Sequence, residues 1–326
     1  MKIAIIGAGI SGLTAAMHLN DVADITLFEK SRGAGGRICS RYTDAYSFDH
    51  GAQFFTARTP QFKKFLEPLI ESGVIANWNA RFIEFRKSII MNRRVWGEEH
   101  PHYIGTPTMS SIGQYLAKDL NINLNTEVSI KKCNQGWNIL DSKDRDLGKY
   151  DWVISTIPAE QSLQLLPEYF SHTKAIEQKK MLGCYSLMLG FEQALNIDWD
   201  AALISEADIS WISVNSSKSG RPKNYSLLVH STNDWAENHL DDASEAVIKH
   251  LCSEVQMITG QDVSMAQHID LHRWRYANIS RQAKSKPFID NAIKIAACGD
   301  WCAKGRIEAA FRSGFDLAKE MRMLLK

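Results

Sequence analysis

The chain has 326 residues, 44% hydrophobic and 23% charged, with 38 basic and 37 acidic side chains for a formal net charge of +1. This balance creates no global field for nucleic acid or an anionic membrane, and no apolar run of about 18 residues is present to span a bilayer. The length suffices for two cores, and six scattered cysteines without a C-x-x-C pair predict reduced thiols in a cytoplasmic protein.

Lys2–Ile6 is a short apolar run suited to a buried parallel strand. It is followed by Gly7, Gly9 and Gly12 as G-x-G-x-x-G. Leu13, Ala16 and Met17 then fall at helical spacing, Ile25–Phe28 reads as a second strand, and Glu29 stands at its end. The whole stretch reads as strand and helix of the mature fold rather than a signal peptide. In such a unit Gly7 permits the tight turn, Gly9 lets the backbone approach a pyrophosphate, and Gly12 lets the helix pack on the strand. The helix N-terminus offers free N–H groups to phosphate. Glu29 is placed to accept from both hydroxyls of an adenosine ribose, and its charge disfavours a 2′-phosphate there.

Arg32, Gly33, Gly35, Gly36 and Arg37 form a second basic glycine loop within eight residues of Glu29. A plain NAD dehydrogenase has no use for it. A longer cofactor, FAD, does, with Arg37 as a bidentate pyrophosphate partner.

Further along, Gln61–Ser72 has helical spacing, with Phe62, Phe65, Leu66 and Leu69 on one face. Trp78–Trp96 alternates and reads as strands. Met109–Leu120 suits a helix after Pro107, capped by Thr108 or Ser110. Ile122–Ile139 reads as a hairpin or strand pair, and Trp152–Thr156 as an apolar strand. From Ser162 to Pro287 strands dominate (Cys184–Phe191, Trp211–Val214, Ser226–Ser231, His268–Tyr276), interrupted by one helix, Ala243–Ile258. Ile293–Cys298 is another strand and Glu308–Leu325 a helix. Gly299 and Asp300 thus lie at a strand's carboxyl end, where ligands bind in doubly wound sheets. Asp300 is placed to accept from a ribityl hydroxyl, and the Gly305–Ile307 amides to face the flavin or the pyrophosphate.

The segments "GAGISGLTAA", "FEKSRGAGGR", "FDHGAQFFTAR", "HRWRYA" and "CGDWCAKGRIEAAFRSG" resemble the flavin-containing amine oxidase superfamily, and within it most the short bacterial renalases. The resemblance runs over nearly the whole chain. It implies an α/β fold: a Rossmann-like FAD-binding domain (1–72, 106–161 and 288–326) with an inserted mixed-sheet α+β substrate domain (73–105 and 162–287), of amine oxidase/p-hydroxybenzoate hydroxylase type. By resemblance, Gly7, Gly9, Ser11 and Gly12 form the pyrophosphate turn, and Glu29 and Lys30 take the adenosine ribose side. Arg32, Gly36 and Arg37 form the second loop, Gln53 and Phe54 lie near the isoalloxazine, and Val128 meets the adenine through its backbone. Asp300 takes the ribityl–pyrophosphate region and Ile307 the flavin's pyrimidine edge. The activity implied is oxidation of 2- or 6-dihydro isomers of NAD(P) to NAD(P)⁺, with O₂ reduced to H₂O₂. Other readings are an amine oxidase or desaturase-like flavoenzyme, or a flavin-binding sensor without turnover.

No catalytic acid–base pair stands out, and a flavin that accepts a hydride needs none. The candidate substrate-pocket residues are Tyr103, Tyr185, His230, Arg273, Trp274, Tyr276 and Arg306, with Trp211 among the nearby aromatics. Arg273 and Arg275 are expected on different faces of one strand, so that at most one points inward. Cys184 lies too far before the C-terminal segment to carry the flavin, so FAD is expected to bind noncovalently, and Cys298 and Cys302 are read as packing residues. His268 with His272, and His100 with His102, are read as something other than metal ligands.

Overall fold

The computed structural model describes residues 1–280, 285–303 and 305–325. A six-stranded sheet runs in the order Phe288–Asp290, Ile295–Ala297, Trp152–Ser155, Lys2–Ile6, Asp24–Phe28, Ile122–Asn123. Its centre is parallel, with Ile3 opposite both Trp152 and Ile25. Ile3, Ile5 and Ile154 are fully buried, as expected of a strand covered on both faces. Helix Ile10–Leu19 packs against helix Ile307–Leu324 so closely that a Cβ at Gly314 would lie 2.2 Å from the Ser11 carbonyl oxygen. Residues from both ends of the chain therefore share one core, Leu13 beside Phe311 and Leu317.

A seven-stranded sheet has the order His268–Ile279, Met181–Phe191, Tyr225–Ser231, Ile209–Val214, Ala201–Ser205, Arg81–Arg86, Ile89–Val95. Helix Ser244–Thr259 covers one face, where Leu187, Leu189 and Val229 meet Leu251 and Val255. Alternation puts Tyr185 on that face too and turns Cys184 the other way. A three-stranded antiparallel sheet, Val128–Cys133, Gly136–Asp141 and Asp146–Tyr150, is tied to the six-stranded sheet by Trp137 Nε1, which donates to the Ile293 carbonyl at 2.9 Å.

Two local expectations are corrected. The strand pair expected over Ile122–Ile139 divides: Ile122–Asn123 joins the six-stranded sheet, and the hairpin begins at Val128. The helix expected to carry a Thr108 or Ser110 cap spans Ser110–Ala117 with Met109 at its N-cap and no side-chain cap. The Thr108 hydroxyl instead meets Tyr42 Oη at 2.6 Å, and Ser110 Oγ accepts from the Ser40 amide at 2.7 Å.

Candidate active site

One cavity of about 2580 Å³ reaches from the glycine turn of the six-stranded sheet to the strands of the seven-stranded sheet. Gly7, Gly9, Ser11, Glu29, Lys30, Arg32, Gly36, Arg37, Gln53, Phe54, Val128, Asp300 and Ile307 all line it. Gly12 and Gly299 stand behind the wall. A Cβ at Gly12 would lie 2.1 Å from the Gly7 carbonyl oxygen, which is the helix-on-strand role expected of it. A Cβ at Gly299 would meet the Trp301 ring at 2.2 Å.

Gly9 tests whether a cofactor fits. Its φ of −74° suits any residue, and among the described residues, its chain neighbours aside, a Cβ there would meet no atom within 4 Å. Neither backbone strain nor internal packing calls for glycine. The open space in front of it, beside first-turn amides that a helix leaves without internal acceptors, suits an approaching phosphate. The second glycine loop docks on the first: the Gly35 amide donates to the Ala8 carbonyl at 2.8 Å, and Gly36 takes φ +59° with its Cβ direction 3.3 Å from Gly9 Cα.

Glu29 is buried, and its two carboxylate oxygens accept from the Ala8 and Ser31 amides, each at 2.8 Å. Each oxygen keeps a further lone pair for a ligand hydroxyl. Ser11 Oγ donates to the Ala310 carbonyl at 2.9 Å, so its hydroxyl joins the two terminal helices. Lys30 and Arg32 are exposed at the rim.

Arg37 has partners within the protein. Its guanidinium fork closes on Asp300, Nη1 to Oδ2 at 3.0 Å and Nη2 to Oδ1 at 2.5 Å, and Nη1 also donates to the Ala277 carbonyl at 2.9 Å. The Asp300 side chain is only 7% exposed, and a carboxylate so buried needs a bidentate partner. The expected pyrophosphate and ribityl contacts are thus two halves of one ion pair.

At the far end, Trp274 Nε1 donates to the His50 carbonyl at 2.9 Å, and the indole stacks on the His50 ring at 5.3 Å between centroids. His272 packs edge-on against the same indole at 4.2 Å. His230, Trp211 and Tyr276 complete this wall. Burial holds the imidazoles neutral: His50 is pushed down to about 3, His230 to about 4, and His272 to about 4 by burial and the nearby Arg41. Burial likewise raises the Cys39 and Cys184 thiols, both on the wall, to about 12. Arg306 lies at the N-cap of the last helix and lines the cavity.

Two pocket expectations, Tyr185 and Tyr103, and one expected facing are corrected. Tyr185 is buried under helix Ser244–Thr259, its hydroxyl donating to the His239 carbonyl at 2.7 Å, because strand parity turns it away from the cavity. Tyr103 packs on Phe55 at 5.6 Å and lies outside the lining. Arg273 and Arg275, two apart on a strand, share a face instead of taking opposite ones; both are exposed and both reach the cavity lining, Arg273 donating to the Leu240 carbonyl and Arg275 to Asp241 at 3.0 Å. His272, Trp274 and Tyr276 occupy the other face. The two histidines of His268–His272 also part: His268 stacks on Phe48 at 5.4 Å, and Arg41 Nη2 meets His272 Nδ1 at 3.1 Å.

Sequence reasoning missed a buried charge cluster behind the wall. Asp49 Oδ2 meets Lys218 Nζ at 3.1 Å and Arg221 Nη2 at 2.5 Å, all three side chains being fully buried. Lys218 also donates to Gln53 Oε1 and Asn215 Oδ1, both at 3.2 Å. Gln53 is thereby clamped, since Ser213 Oγ donates to the same oxygen at 2.8 Å and its amide nitrogen donates to the Asp49 carbonyl.

Comparison with known proteins agrees with this geometry. Residues 5–69 match the NAD(P)-binding Rossmann-like domain, and residues 72–322 match the flavin containing amine oxidoreductase family. The chain belongs to that family. It is an FAD-dependent oxidoreductase, with a Rossmann-like FAD-binding domain and an amine oxidase domain. Among curated relatives, the 4,4′-diapophytoene desaturase (4,4′-diaponeurosporene-forming) of Staphylococcus aureus (strain Newman) is 44% identical over 52 residues, 16% of this chain and 10% of that protein, so the chain spans only a tenth of its length. A putative protoporphyrinogen oxidase from Exiguobacterium sp. 255-15 superimposes with a TM-score of 0.78 at 13% identity, covering 99% of both chains. Reduced UDP-galactopyranose mutase gives 0.75 at 13%, covering 99% of this chain and 94% of that one. Putrescine oxidase bound to putrescine gives 0.68 at 12%, covering 99% of both. These likenesses carry the fold. Among the described residues, no helix is long and apolar enough to cross a membrane.

Proposed function

We propose that the protein is an oxidase of renalase type, acting on 2- or 6-dihydro isomers of NAD(P) and yielding NAD(P)⁺ and H₂O₂. The observation that carries this reading is the charge of the cavity. Its lining carboxylates are Glu29, Glu127, Asp300, Glu308 and Asp316 among the described residues, and none comes from the seven-stranded sheet. The strand His268–Ile279 instead brings Arg273 and Arg275 to the lining, Arg275 paired with Asp241, and Arg306 and the Asp270-paired Arg41 stand there too. Lys30 is the one lysine among the described lining residues. Such a site favours an anionic dinucleotide and gives a cationic amine no counter-charge.

Gly7, Gly9, Glu29, Arg32, Gly36, the Arg37–Asp300 pair, Val128 and Ile307 would hold FAD, noncovalently, in a domain of residues 1–72, 106–161 and 288–326. Residues 73–105 and 162–287 would hold the substrate. The bound flavin supplies a hydride acceptor that O₂ reoxidises. The chain's part is to orient and to exclude water. Trp274 and Trp211 offer ring faces to a flat dihydropyridine, and the neutral His50, His230 and His272 add polarity without charge. No side chain needs to take a proton from the donor carbon.

Anaerobic titration of the yellow protein tests this. The dihydro isomers should bleach the flavin, and air should restore it. Bleaching by amines with none by either isomer would replace this reading with an amine oxidase.

A further inference from the structure

We propose that Asp208, His250 and Glu254 form a site for one divalent transition-metal ion of the zinc type. None of the three lines the large cavity. Helix Ser244–Thr259 presents His250 and Glu254 four residues apart, one turn above the other on one face. Asp208 comes from the turn between strands Ala201–Ser205 and Ile209–Val214, where Glu206 takes φ +58°. One donor atom from each of the three lies within 4.8 Å of the other two.

The local chemistry is short of positive charge. His250 Nε2 sits 2.9 Å from Asp208 Oδ2, and Glu254 Oε2 accepts from the Asp208 amide at 3.0 Å. Among the described residues, no arginine or lysine pairs with either carboxylate. Glu254 is nonetheless only 8% exposed, and burying a carboxylate against a single amide is costly. A dication supplies the missing counter-charge. His250 is already oriented: its ring lies on Trp235 at 4.8 Å and 6° between planes, and Trp235 also stacks on His239 at 4.3 Å.

Bonds of about 2.0–2.2 Å from zinc to imidazole nitrogen and carboxylate oxygen place tetrahedral donors roughly 3.3–3.6 Å apart. The Asp208 side chain, 43% exposed, is free to rotate into that spacing, and the open side leaves a fourth position for water. The metal takes the place of the proton between Nε2 and Oδ2. A protonated imidazole releases that proton to solvent and keeps its Nδ1–H; a neutral one shifts its hydrogen to Nδ1. The nitrogen donor selects against calcium and magnesium, which prefer all-oxygen sets. The ion would fasten the 206–208 turn to the helix behind the seven-stranded sheet.

The test uses FAD-loaded protein stripped with a chelator and titrated with zinc chloride, read by equilibrium dialysis and by Tm. The expected result is one zinc per chain with a rise in Tm, and no rise with calcium chloride. His250→Asn and Asp208→Asn change half-exposed side chains; each should weaken zinc binding at least tenfold and abolish the rise, with flavin content and zinc-free Tm unchanged. Glu254→Gln should do the same if it folds. No saturable zinc binding in the wild type, or equal binding and an equal rise in the His250 and Asp208 variants, overturns the site.

Discussion

Arg37 and Asp300 stand 263 positions apart and are joined by two parallel hydrogen bonds at the floor of the cavity. The pair ties the second glycine loop to the turn after strand Ile295–Ala297. Asp300→Asn leaves a partly buried guanidinium without its counter-charge. It should cost about 2–4 kcal/mol of stability, between the surface and buried limits for ion pairs. Arg37→Lys should recover only part of the loss from Arg37→Ala, because a point charge cannot make the fork. Urea denaturation and flavin content of the purified variants check both statements.

Glu29→Ala should weaken FAD binding by about 1–3 kcal/mol, roughly ten- to a hundredfold, the scale of losing hydrogen bonds to a charged group. It also orphans the Ala8 and Ser31 amides, so Glu29→Gln, which still accepts one of them, should lose less. Titration of apoprotein with FAD measures the order. Unchanged affinity in both would remove Glu29 from the cofactor site.

The buried cluster makes a prediction about alkaline pH. Burial pushes Lys218 down to about 8 despite its attraction to Asp49, whereas an unfolded lysine titrates near 10.5. Between those values the unfolded chain holds a proton that the fold has released, so this group makes stability rise with pH across the window. Lys218→Met should abolish that rise and change stability at pH 7 by no more than about 1 kcal/mol. Each acceptor keeps another donor: Arg221 for Asp49, Ser213 for Gln53, and the Asp49 amide for Asn215. Asp49→Asn is the opposite case. It strands Arg221 and Lys218 together and should cost about 3–5 kcal/mol.

The three imidazoles predict an acid limit. His50, His230 and His272 refuse protons down to about 3–4, while unfolded histidine takes them up near 6.5. Below that point the unfolded chain binds more protons than the fold, so stability falls as the pH drops from 6.5 towards 4. His230→Gln should make the fall shallower in urea midpoints measured from pH 7 to 4.5. Because none of the three changes charge between pH 6 and 9, flavin reduction by substrate should vary little over that range, in stopped flow, for wild type and for His230→Gln and Tyr276→Phe alike. A residue whose loss removes a steep pH dependence would show a required base instead.

Tyr185→Phe should leave cofactor and substrate kinetics intact and cost about 1 kcal/mol, the value of one buried hydrogen bond, here to His239. A large change in substrate affinity with unaltered Tm would place Tyr185 at the cavity after all.

The parts legible in the sequence were those whose chemistry is local. Lys2–Ile6, the three glycines and Glu29 lie within 28 residues, and the turn geometry follows from their spacing. The last strand and helix were readable from periodicity for the same reason. Facing was readable only where strand parity was followed: Arg273 and Arg275, two apart, share a face, and Tyr185 follows its strand's alternation into the helix-covered core. His50 stood in plain view between Asp49 and Gly51 in a quoted motif, but its carbonyl matters as much as its ring, and a backbone contact to Trp274 leaves no mark on composition. Lys218 and Arg221 sit in a polar, proline-containing stretch that reads as a solvated loop. What buries them is Asp49, 169 and 172 positions earlier.

The shared core of the two terminal helices has a consequence for how the protein matures. A ribosome releases Gly7, Glu29 and Arg37 early, yet the wall facing them waits for Asp300, and the helix that packs on Ile10–Leu19 follows later still. The nascent nucleotide half therefore lacks half its walls until Asp300 and helix Ile307–Leu324 are made, and flavin capture should follow that stage. Cells short of riboflavin should then accumulate fully synthesised chains that are vulnerable to proteolysis, and limited trypsin digestion with and without added FAD would read that vulnerability directly.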